Sequence, residues 1–299
     1  MADDDGDRSK RRAGVVPYAL LSPGMLWLLL FFLVPLVTLA RTSLSVKEGR
    51  FDLSPSFSWE LSNYTNAISD YSEQFIRSFA YAGVATVLCI AIGYPVAYVI
   101  AFRGGRWRNV LLGLVVVPFF TSFLIRTLAW QTVLFDDGPL LGVLDQLRLV
   151  GVLERLGIAE NGGLLNTHAA VIGGLTYNFL PFMILPIYVS LEKIDLQLTE
   201  AAKDLYSNGW LAFRKVGLPL SLPGVFAGSL LTFIPAAGDF INAQFLGGPS
   251  NTMIGTVVQD QFLKQNDYVT AGALSFILML IITTATLVYA RVLGTNDLV

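Results

Sequence analysis

The chain is short of charged residues. Only 14% of its 299 residues are Asp, Glu, Lys or Arg, whereas 54% are hydrophobic and the mean hydropathy is +0.60. Soluble domains carry about 25% charged residues, so this composition excludes an ordinary water-soluble domain and indicates a chain that is solvated by the lipid bilayer. The net charge of −2 says little about partners, because in a membrane protein the placement of the charges sets the orientation.

The sequence is equally poor in reactive and metal-binding side chains. Its one cysteine, Cys89, lies in an apolar run, so no disulfide can form within the chain and we expect a small buried hydrophobe there. Its one histidine, His168, has no neighbouring histidine or cysteine, which argues against a metal site. A phosphate loop of the form G-x-x-x-x-G-K-[ST] is absent, as is a nucleophile with an adjacent base. We therefore expect no catalytic residue, metal, cofactor or ATPase activity in this chain.

What the sequence has instead is long apolar runs. A helix needs about 20 apolar residues to cross the ~30 Å hydrocarbon core. Runs of this kind cover about residues 18–41, 79–102, 109–134, 169–191, 221–245 and 268–293. Pro118, Pro181, Pro186 and Pro235 lie within them and predict bends, which spanning helices tolerate. The predicted fold class is an all-α membrane protein with six transmembrane helices.

The loops between the runs differ in charge. Lys and Arg lie before the first run, between the second and third, between the fourth and fifth, and at the end of the sixth, while the loop between the third and fourth is rich in Asp and Glu. Because short cationic loops stay in the cytoplasm, both termini are predicted to be cytoplasmic. The first run is too long for a signal-peptide core and no small-residue cleavage site follows it, so we expect it to be retained.

The predicted organisation has three parts. Residues 1–17 form a polar, disordered cytoplasmic tail, residues 18–78 the first helix and an external loop, and residues 79–293 a core of five helices with a charged cytoplasmic loop at 192–220. The acidic external loop, 135–168, has leucines at near-helical spacing and predicts one or two short amphipathic helices. They would either cover a pathway as a lid or pack along the membrane interface.

One segment of mixed charge interrupts the apolar pattern: EAAKDLYSNGWLAFRKVGLP, residues 200–219. Its first seven residues favour a helix, and Ser207–Gly209 is a turn signal. Trp210, Phe213 and Val216 then fall on one face of a second short helix. This face predicts either a docking surface for a cytoplasmic partner or an amphipathic helix on the inner leaflet.

The same segment resembles the EAA loop of permease subunits of ATP-binding-cassette importers. That pattern runs E-A-A, three residues, G, nine residues, I, one residue, L-P. Val216 stands for the isoleucine and Tyr206 for the glycine, with Gly209 three residues later as an alternative break. In the family this loop forms the coupling helices that sit in a cleft of the ATPase subunit. The resemblance therefore implies ATPase coupling by Glu200, Ala201, Ala202, Asp204, Gly209, Trp210, Phe213, Leu218 and Pro219.

The resemblance extends over about residues 18–291, and within the importer permeases the chain looks like the B-type subunits of spermidine/putrescine transporters. The stretches that carry it are LPFMILPIYVSLEKID at 180–195, AAGDFINAQFLGGPSNTMIG at 236–255 and QDQFLKQNDYVTAGALS at 259–275. Permeases for iron, phosphonates and thiamine share much of this pattern, so those solutes remain alternatives. An ion-driven secondary transporter is the other class, but it would have interrupted helices in matching positions of two halves, and we find no clear pair.

The resemblance implies a type I importer permease (MetI-like) fold in a bacterial inner membrane. It also implies a set of partners. These are a homologous second permease, two ATPase subunits that bind ATP and Mg, an extracytoplasmic solute-binding protein and a small polycationic substrate, with no role for nucleic acid.

Asp239, in the outer half of the fifth run, is the main candidate for the substrate pathway. A charge at the bilayer centre costs about 2.5–3.5 kcal/mol on insertion scales and usually faces a cavity, and carboxylates and aromatic rings are natural partners of a polyamine. Asn242 continues the polar trend, and Trp130, Tyr177 and Phe179 could line the same pathway. The alternatives are that Asp239 caps the LGGP turn that follows it and that the aromatic residues belong to interfacial packing.

Two further charged positions have other predicted roles. Arg126, in the third run, has the wrong sign to bind a cation, so a salt bridge to an acid of a neighbouring helix is expected. Glu192 and Asp195 follow the fourth run and could serve the cytoplasmic exit or the ATPase contact.

Overall fold

Helices make up nearly all of the described fold. The computed structural model describes residues 20–47, 55–195, 197 and 208–292. Two strands, β1 (Ser45–Val46) and β2 (Ser56–Phe57), form a short antiparallel pair. The helices are α1 (Leu20–Ser43), α2 (Ser62–Arg103), α3 (Arg108–Val116), α4 (Phe123–Leu134), α5 (Pro139–Gln146), α6 (Val150–Arg155), α7 (His168–Glu192), α8 (Gly209–Ala212), α9 (Leu218–Ala237), α10 (Ile241–Leu246), α11 (Ile254–Gln259) and α12 (Tyr268–Val292).

Five helices of the described chain are long and apolar enough to cross a bilayer: α1, α2, α7, α12 and the continuous helix Gly209–Ala237 that joins α8 to α9. A sixth crossing is possible if two segments count as one span. Gly105–Phe120 and Phe123–Gln146 pass the same test together but are bent by 94° between them. The predicted six spans are thus five single-helix candidates and one candidate made of two helices bent against each other.

The break in the third span follows Pro118. A 3₁₀ turn at Val117–Phe120 ends on Thr121, whose backbone is extended (φ −95°, ψ 146°). By contrast, α7 remains one helix through Pro181 and Pro186, and α9 through Pro235. The sequence marks all of these prolines alike, and the local backbone decides which one ends a helix.

Two helix boundaries differ from the apolar runs. The helix α2 begins at Ser62, well before the run at 79–102. Its first segment is polar and carries no apolar signal, and a kink at Tyr71 (φ −122°, ψ 17°) separates it from the rest of the helix. The fifth run was expected to extend to residue 245, but α9 ends at Ala237. Asp239 Oδ1 accepts a hydrogen bond from the backbone N–H of Asn242 at 2.7 Å, and this bond starts the separate helix α10.

Contacts divide the described residues into two compact units, those up to residue 68 with 261–277 and those of 69–260 with 278–292. In the larger unit, α7 and α9 pack side by side at Gly224 and Gly228. A Cβ at Gly224 would lie 2.5 Å from the carbonyl oxygen of Pro186, and one at Gly228 would lie 2.8 Å from Met183 Sδ. Small residues four apart allow such close packing of membrane helices.

The two predicted short helices of the loop at 135–168 are present as α5 and α6. Their leucines pack against the core formed by α4 and α7 and enclose an apolar cavity of about 300 Å³. In the structure these helices therefore cover the end of the α4–α7 pair.

The smaller unit is held by hydrogen bonds at the end of α1. Ser43 is fully buried and its hydroxyl lies 2.6 Å from the Tyr64 hydroxyl. The side-chain amide of Asn63 donates to the carbonyls of Ser43 and Ser45, each at 3.0 Å. These bonds fix the chain where it leaves α1 and forms β1.

Candidate coupling segment and buried polar network

The first half of the EAA segment falls in the undescribed part of the chain. Glu200, Ala201, Ala202 and Asp204 all lie outside the described residues, as does Tyr206. The turn geometry at Tyr206 therefore stays a prediction.

The described half of the segment begins with a helix cap that the sequence analysis missed. Asn208 has an extended backbone (φ −145°, ψ 121°), and its side-chain oxygen accepts from the N–H of Trp210 at 2.9 Å. Gly209 is then the first residue of α8 rather than the end of a preceding helix. Asparagine directly before an amphipathic pattern was the available signal.

Trp210 and Phe213 have neighbouring rings but different surroundings. Their centroids are 5.5 Å apart, yet the Trp210 side chain is 66% exposed. Phe213 is half-buried and packs edge-on against Tyr94 and Tyr98 of α2, with centroids 5.8 and 5.6 Å away. Trp210 is therefore available to a partner, whereas Phe213 connects the segment to a transmembrane helix.

A π-helical turn follows at Phe213–Gly217. It changes the angular spacing between Phe213 and Val216 from that of the ordinary α-helix on which the single-face prediction rested. Val216 and Gly217 line a small cavity together with Phe213 and Tyr98. Leu218 and Pro219 then begin α9, where a proline in the first turn removes no helical hydrogen bond.

The segment has a second connection to α2 through Tyr94. The Tyr94 hydroxyl lies 2.7 Å from the Ser221 hydroxyl at the start of α9, and Ser221 is fully buried. Tyr94 thus touches both Phe213 and Ser221. A displacement of the segment would be passed to α2 at this residue.

A charged cluster joins α3 to the end of α7. The Arg108 guanidinium is ion-paired with Glu192, and its Nε donates to the Tyr188 hydroxyl at 2.5 Å. The guanidinium carbon also lies 5.0 Å from the Tyr188 ring centroid. Glu192 is therefore engaged within the chain, while Asp195 accepts from the N–H of Gln197 at 2.9 Å.

The predicted pathway residues Asp239 and Asn242 belong to one buried polar network. Asp239 is 8% exposed, and Asn242 is fully buried. Asn242 Oδ1 accepts from Asn178 Nδ2 at 3.0 Å and from Thr127 Oγ1 at 3.4 Å, and Asn178 Nδ2 also contacts Thr127 Oγ1 at 3.2 Å. The network therefore ties together α4, α7 and α10.

Asn178 and Thr127 were missed in the sequence analysis. Both lie in apolar runs, and a buried polar side chain in a membrane helix usually has a partner. That signal was present for Asn178, but one sequence does not reveal which polar residue on another helix it meets.

The three aromatic candidates separate into two groups. The rings of Trp130 and Tyr177 are in contact, with centroids 5.4 Å apart. Phe179 is buried and packs with Phe123 and Phe182, at 5.8 and 6.1 Å. Phe179 is thus a core residue next to Asn178, and only the Trp130–Tyr177 pair keeps appreciable exposure.

Arg126 has no acid partner in the described part of the chain, so the expected salt bridge is not found there. Its side chain is 9% exposed, and Nε and Nη1 are enclosed without a hydrogen-bond partner. The guanidinium carbon lies 5.4 and 5.5 Å from the ring centroids of Phe119 and Phe123. These rings stabilise the charge in part, but they accept none of its N–H bonds.

Comparison with known proteins decides the family. Residues 90–293 match the family model described as binding-protein-dependent transport system inner membrane component. The chain belongs to this family. It is thus a permease subunit of an importer in the inner membrane, as the resemblance predicted.

This permease has curated relatives over most of its length. It is 36% identical over 266 residues to the spermidine/putrescine transport system permease protein PotB of Haemophilus influenzae. The aligned residues cover 89% of this chain and 90% of that protein. The protein of the same name from Escherichia coli is 35% identical, with 89% and 93% covered. The inner membrane ABC transporter permease protein YdcU of Escherichia coli is 31% identical over 228 residues, with 74% and 72% covered.

Solved structures show the fold of the permease. A chain of a bacterial ABC transporter that imports the acidic polysaccharide alginate matches with a TM-score of 0.64 at 17% identity, covering 98% of this chain and all of that one. A chain of the inward-facing MetNI methionine ABC transporter matches with a TM-score of 0.55 at 16% identity, with 74% and 93% covered. The predicted MetI-like fold is therefore confirmed.

Two remaining residues of the permease complete the site description. Cys89 is fully buried and its thiol lies 3.4 Å from the carbonyl oxygen of Thr176, which confirms the prediction of a small buried side chain. His168 Nδ1 is hydrogen-bonded to the Tyr81 hydroxyl. In the described residues, no group of three or more His, Cys, Asp or Glu is placed to hold a metal ion.

Proposed function

We propose that this permease and a homologous second permease form the membrane pathway of an ATP-driven polyamine importer. The observation that carries the proposal is 35–36% identity over 89% of the chain to two proteins named as spermidine/putrescine permeases. The compared polysaccharide and methionine transporters share the fold at only 16–17% identity and do not bear on the solute.

The energy for transport comes from two separate ATPase subunits that bind ATP and Mg. They dock on the EAA segment, and an extracytoplasmic solute-binding protein delivers the solute on the other side. Support comes from the exposed Trp210 at the start of α8, since a large exposed aromatic residue is typical of a docking surface.

Movement of the docked ATPases reaches the membrane through Phe213. Its contacts with Tyr94 and Tyr98 link the segment to α2, and the Tyr94–Ser221 bond links α2 to α9. When ATP binding draws the ATPases together, this connection would tilt the spanning helices and switch the pathway from inward-facing to outward-facing. ATP hydrolysis would reverse the change.

The solute pathway is placed near Asp239 and the polar network. A polycation needs carboxylates and polar groups that replace its hydration shell, and an acid at membrane depth is costly unless it faces such a pathway. Asp239 also caps α10, so one side chain would position the helix and offer negative charge. Trp130 and Tyr177 supply an aromatic pair for cation–π contact.

The test is ATP hydrolysis by the assembled complex in nanodiscs, with its solute-binding protein loaded with spermidine, with putrescine or with a neutral solute of similar size. We expect the two polyamines to stimulate hydrolysis and the neutral solute to leave it at the basal rate. Stimulation by iron, a phosphonate or thiamine, with no response to polyamines, would reassign the solute while keeping the importer function.

A further inference from the structure

The break in the third span is exposed although it lies at membrane depth. A rise of about 1.5 Å per residue gives Gly105–Phe120 a length of about 25 Å, which is short of the ~30 Å hydrocarbon core. Phe120 is 87% exposed, and Thr121 and Ser122 beside it are exposed as well. By length, the chain therefore leaves its helix within the hydrocarbon core, at a place that the described part of the chain does not cover.

Such a break cannot face lipid tails. Irregular backbone at membrane depth is tolerated where protein covers it or where it lines a water-filled cavity. At this break, Ser122 is the residue before α4 and its side chain makes no capping hydrogen bond. The first-turn N–H groups of α4 are thus left without a side-chain acceptor, and they carry the positive end of the helix dipole.

Arg126, one turn into α4, adds a full positive charge to the same place. Only 9% of Arg126 is exposed, and two of its side-chain nitrogens are enclosed and unpaired. Nη2 makes no hydrogen bond within the described residues and is not among those enclosed atoms. It is thus the guanidinium nitrogen that keeps access to the protein surface. A buried, unpaired guanidinium is unfavourable, and the described part of the chain supplies no anion here.

We propose that a transmembrane helix of the second permease subunit packs over this break and presents an Asp or Glu whose carboxylate pairs with Arg126. The inference rests on the proposed pairing of two permeases and names the surface and the chemistry of that contact. A carboxylate fits because a guanidinium offers it two parallel N–H donors, and the α4 dipole favours the same charge.

Apolar neighbours of the break fit a protein helix as the occupant. Ile125 and Leu128 are exposed on α4, and together with Phe120 they give the break an exposed apolar rim. A spanning helix with a single acid is complementary to this arrangement, since its apolar side chains cover the rim while its carboxylate reaches Nη2.

The test is co-purification of the second permease with tagged chain from the full complex. We expect Arg126→Gln to weaken the association by at least about tenfold, because breaking a buried ion pair leaves an unpaired charge. Arg126→Lys keeps the charge but not the two parallel N–H donors, so its association with the second permease should be weaker than that of the wild type and stronger than that of Arg126→Gln. The control is Arg103→Gln, an exposed arginine at the end of α2, which should associate like the wild type.

Rescue then identifies the partner acid. Each membrane-embedded Asp or Glu of the second permease is changed singly to Asn or Gln and combined with Arg126→Gln. Neutralising the true partner should restore association to within about threefold of the wild type, because removing both charges is far less costly than removing one. Recovery in the double variant also shows that Arg126→Gln inserts and folds.

Four outcomes would overturn the proposal. The Arg126→Gln variant could associate like the wild type, or no acid of the second permease could rescue it. Asp239→Asn within this chain could rescue it instead, or its defect could depend on the anionic lipid content of the nanodisc.

The proposed function fails differently. In that case the wild-type chain would not assemble with a second permease, or the assembled complex would show no solute-stimulated ATP hydrolysis.

Discussion

Asp239, Asn242, Asn178 and Thr127 show how a few polar side chains organise an apolar chain. One carboxylate oxygen starts α10, and one side-chain amide oxygen of that helix accepts from both α4 and α7. In an apolar surrounding, a polar group of such a network that lost its partner would carry the full desolvation penalty with no hydrogen bond to offset it. The network should therefore contribute to the stability of α10 as well as to the polarity of the pathway.

The first residue-scale prediction compares two threonines of α4. Thr127 is buried, and its hydroxyl proton is shared between the carbonyl of Phe123 at 3.2 Å and Asn242 Oδ1 at 3.4 Å. Thr132 is exposed, and its hydroxyl donates only to a backbone carbonyl four residues earlier. Thr127→Val should lower the free energy of unfolding by about 1–3 kcal/mol because Asn242 and Asn178 lose a partner. Thr132→Val should stay within about 0.5 kcal/mol. Thermal unfolding of the purified complex measures both, and equal effects would show that the network contributes nothing.

The second residue-scale prediction separates the two roles of Asp239. Asn at this position keeps an oxygen that can cap α10 but removes the negative charge, whereas Ala removes both. We expect Asp239→Asn to assemble normally and to lower polyamine uptake by about tenfold, which corresponds to about 1.4 kcal/mol. Asp239→Ala should in addition lose about 1 kcal/mol of stability with the cap. Unchanged uptake by Asp239→Asn would make the carboxylate purely structural.

At the scale of elements, the joined helix α8–α9 has two functionally different ends. The α8 end carries an exposed Trp210, and one turn later Phe213 is packed on α2. The π-helical turn at Phe213–Gly217 follows directly and leads into α9. Docking and transmission can therefore be tested separately within four residues of sequence.

The element-scale prediction uses this separation. Trp210→Ala should weaken binding of the ATPase subunits by about 30-fold, corresponding to about 2 kcal/mol for an exposed aromatic anchor. Phe213→Ala should leave that binding nearly unchanged but lower the number of solute molecules transported per ATP hydrolysed. Quantitative pull-down of the ATPase and parallel uptake and hydrolysis assays measure the two effects. Identical phenotypes for the two variants would contradict the assignment.

Much of the element order follows from the sequence, and the exceptions have physical causes. The length of each apolar run predicts a span because bilayer thickness fixes helix length. The beginning of α2 at Ser62 was missed because its first segment, before the kink at Tyr71, is polar. The end of α9 was missed because the apolar pattern continues through Gly238 into α10, which the Asp239 bond to Asn242 starts. The break after Pro118 depends on a local turn. The sequence does not show why a helix breaks at this proline and not at Pro181, Pro186 or Pro235.

The candidate site was predictable in type but not in pairing. An acid and an amide in an apolar run indicate a polar site, and Asp239 and Asn242 were found in this way. Asn178 and Thr127 were missed, and Arg126 was assigned a partner acid that the described residues do not contain. Which helices meet is set by packing such as the close approach of α7 and α9, and one sequence does not contain that information in readable form.

At the scale of the whole molecule, this chain is one subunit of a transport system. It belongs to a family of inner membrane transport components, and its sequence has no phosphate-binding loop. We expect the ATPase subunits to bind at the EAA segment and the second permease to bind at the exposed break of the third span.

The central claim is ATP-driven polyamine import by the complex that contains this permease. The most direct measurement is uptake of labelled spermidine into proteoliposomes that hold the full complex, with binding protein on the outside and Mg-ATP on the ATPase side. We predict uptake that requires ATP, the binding protein and both permeases, and that unlabelled putrescine reduces. Uptake that persists without ATP and follows an ion gradient, or no spermidine uptake by a complex that imports another solute, would contradict the account.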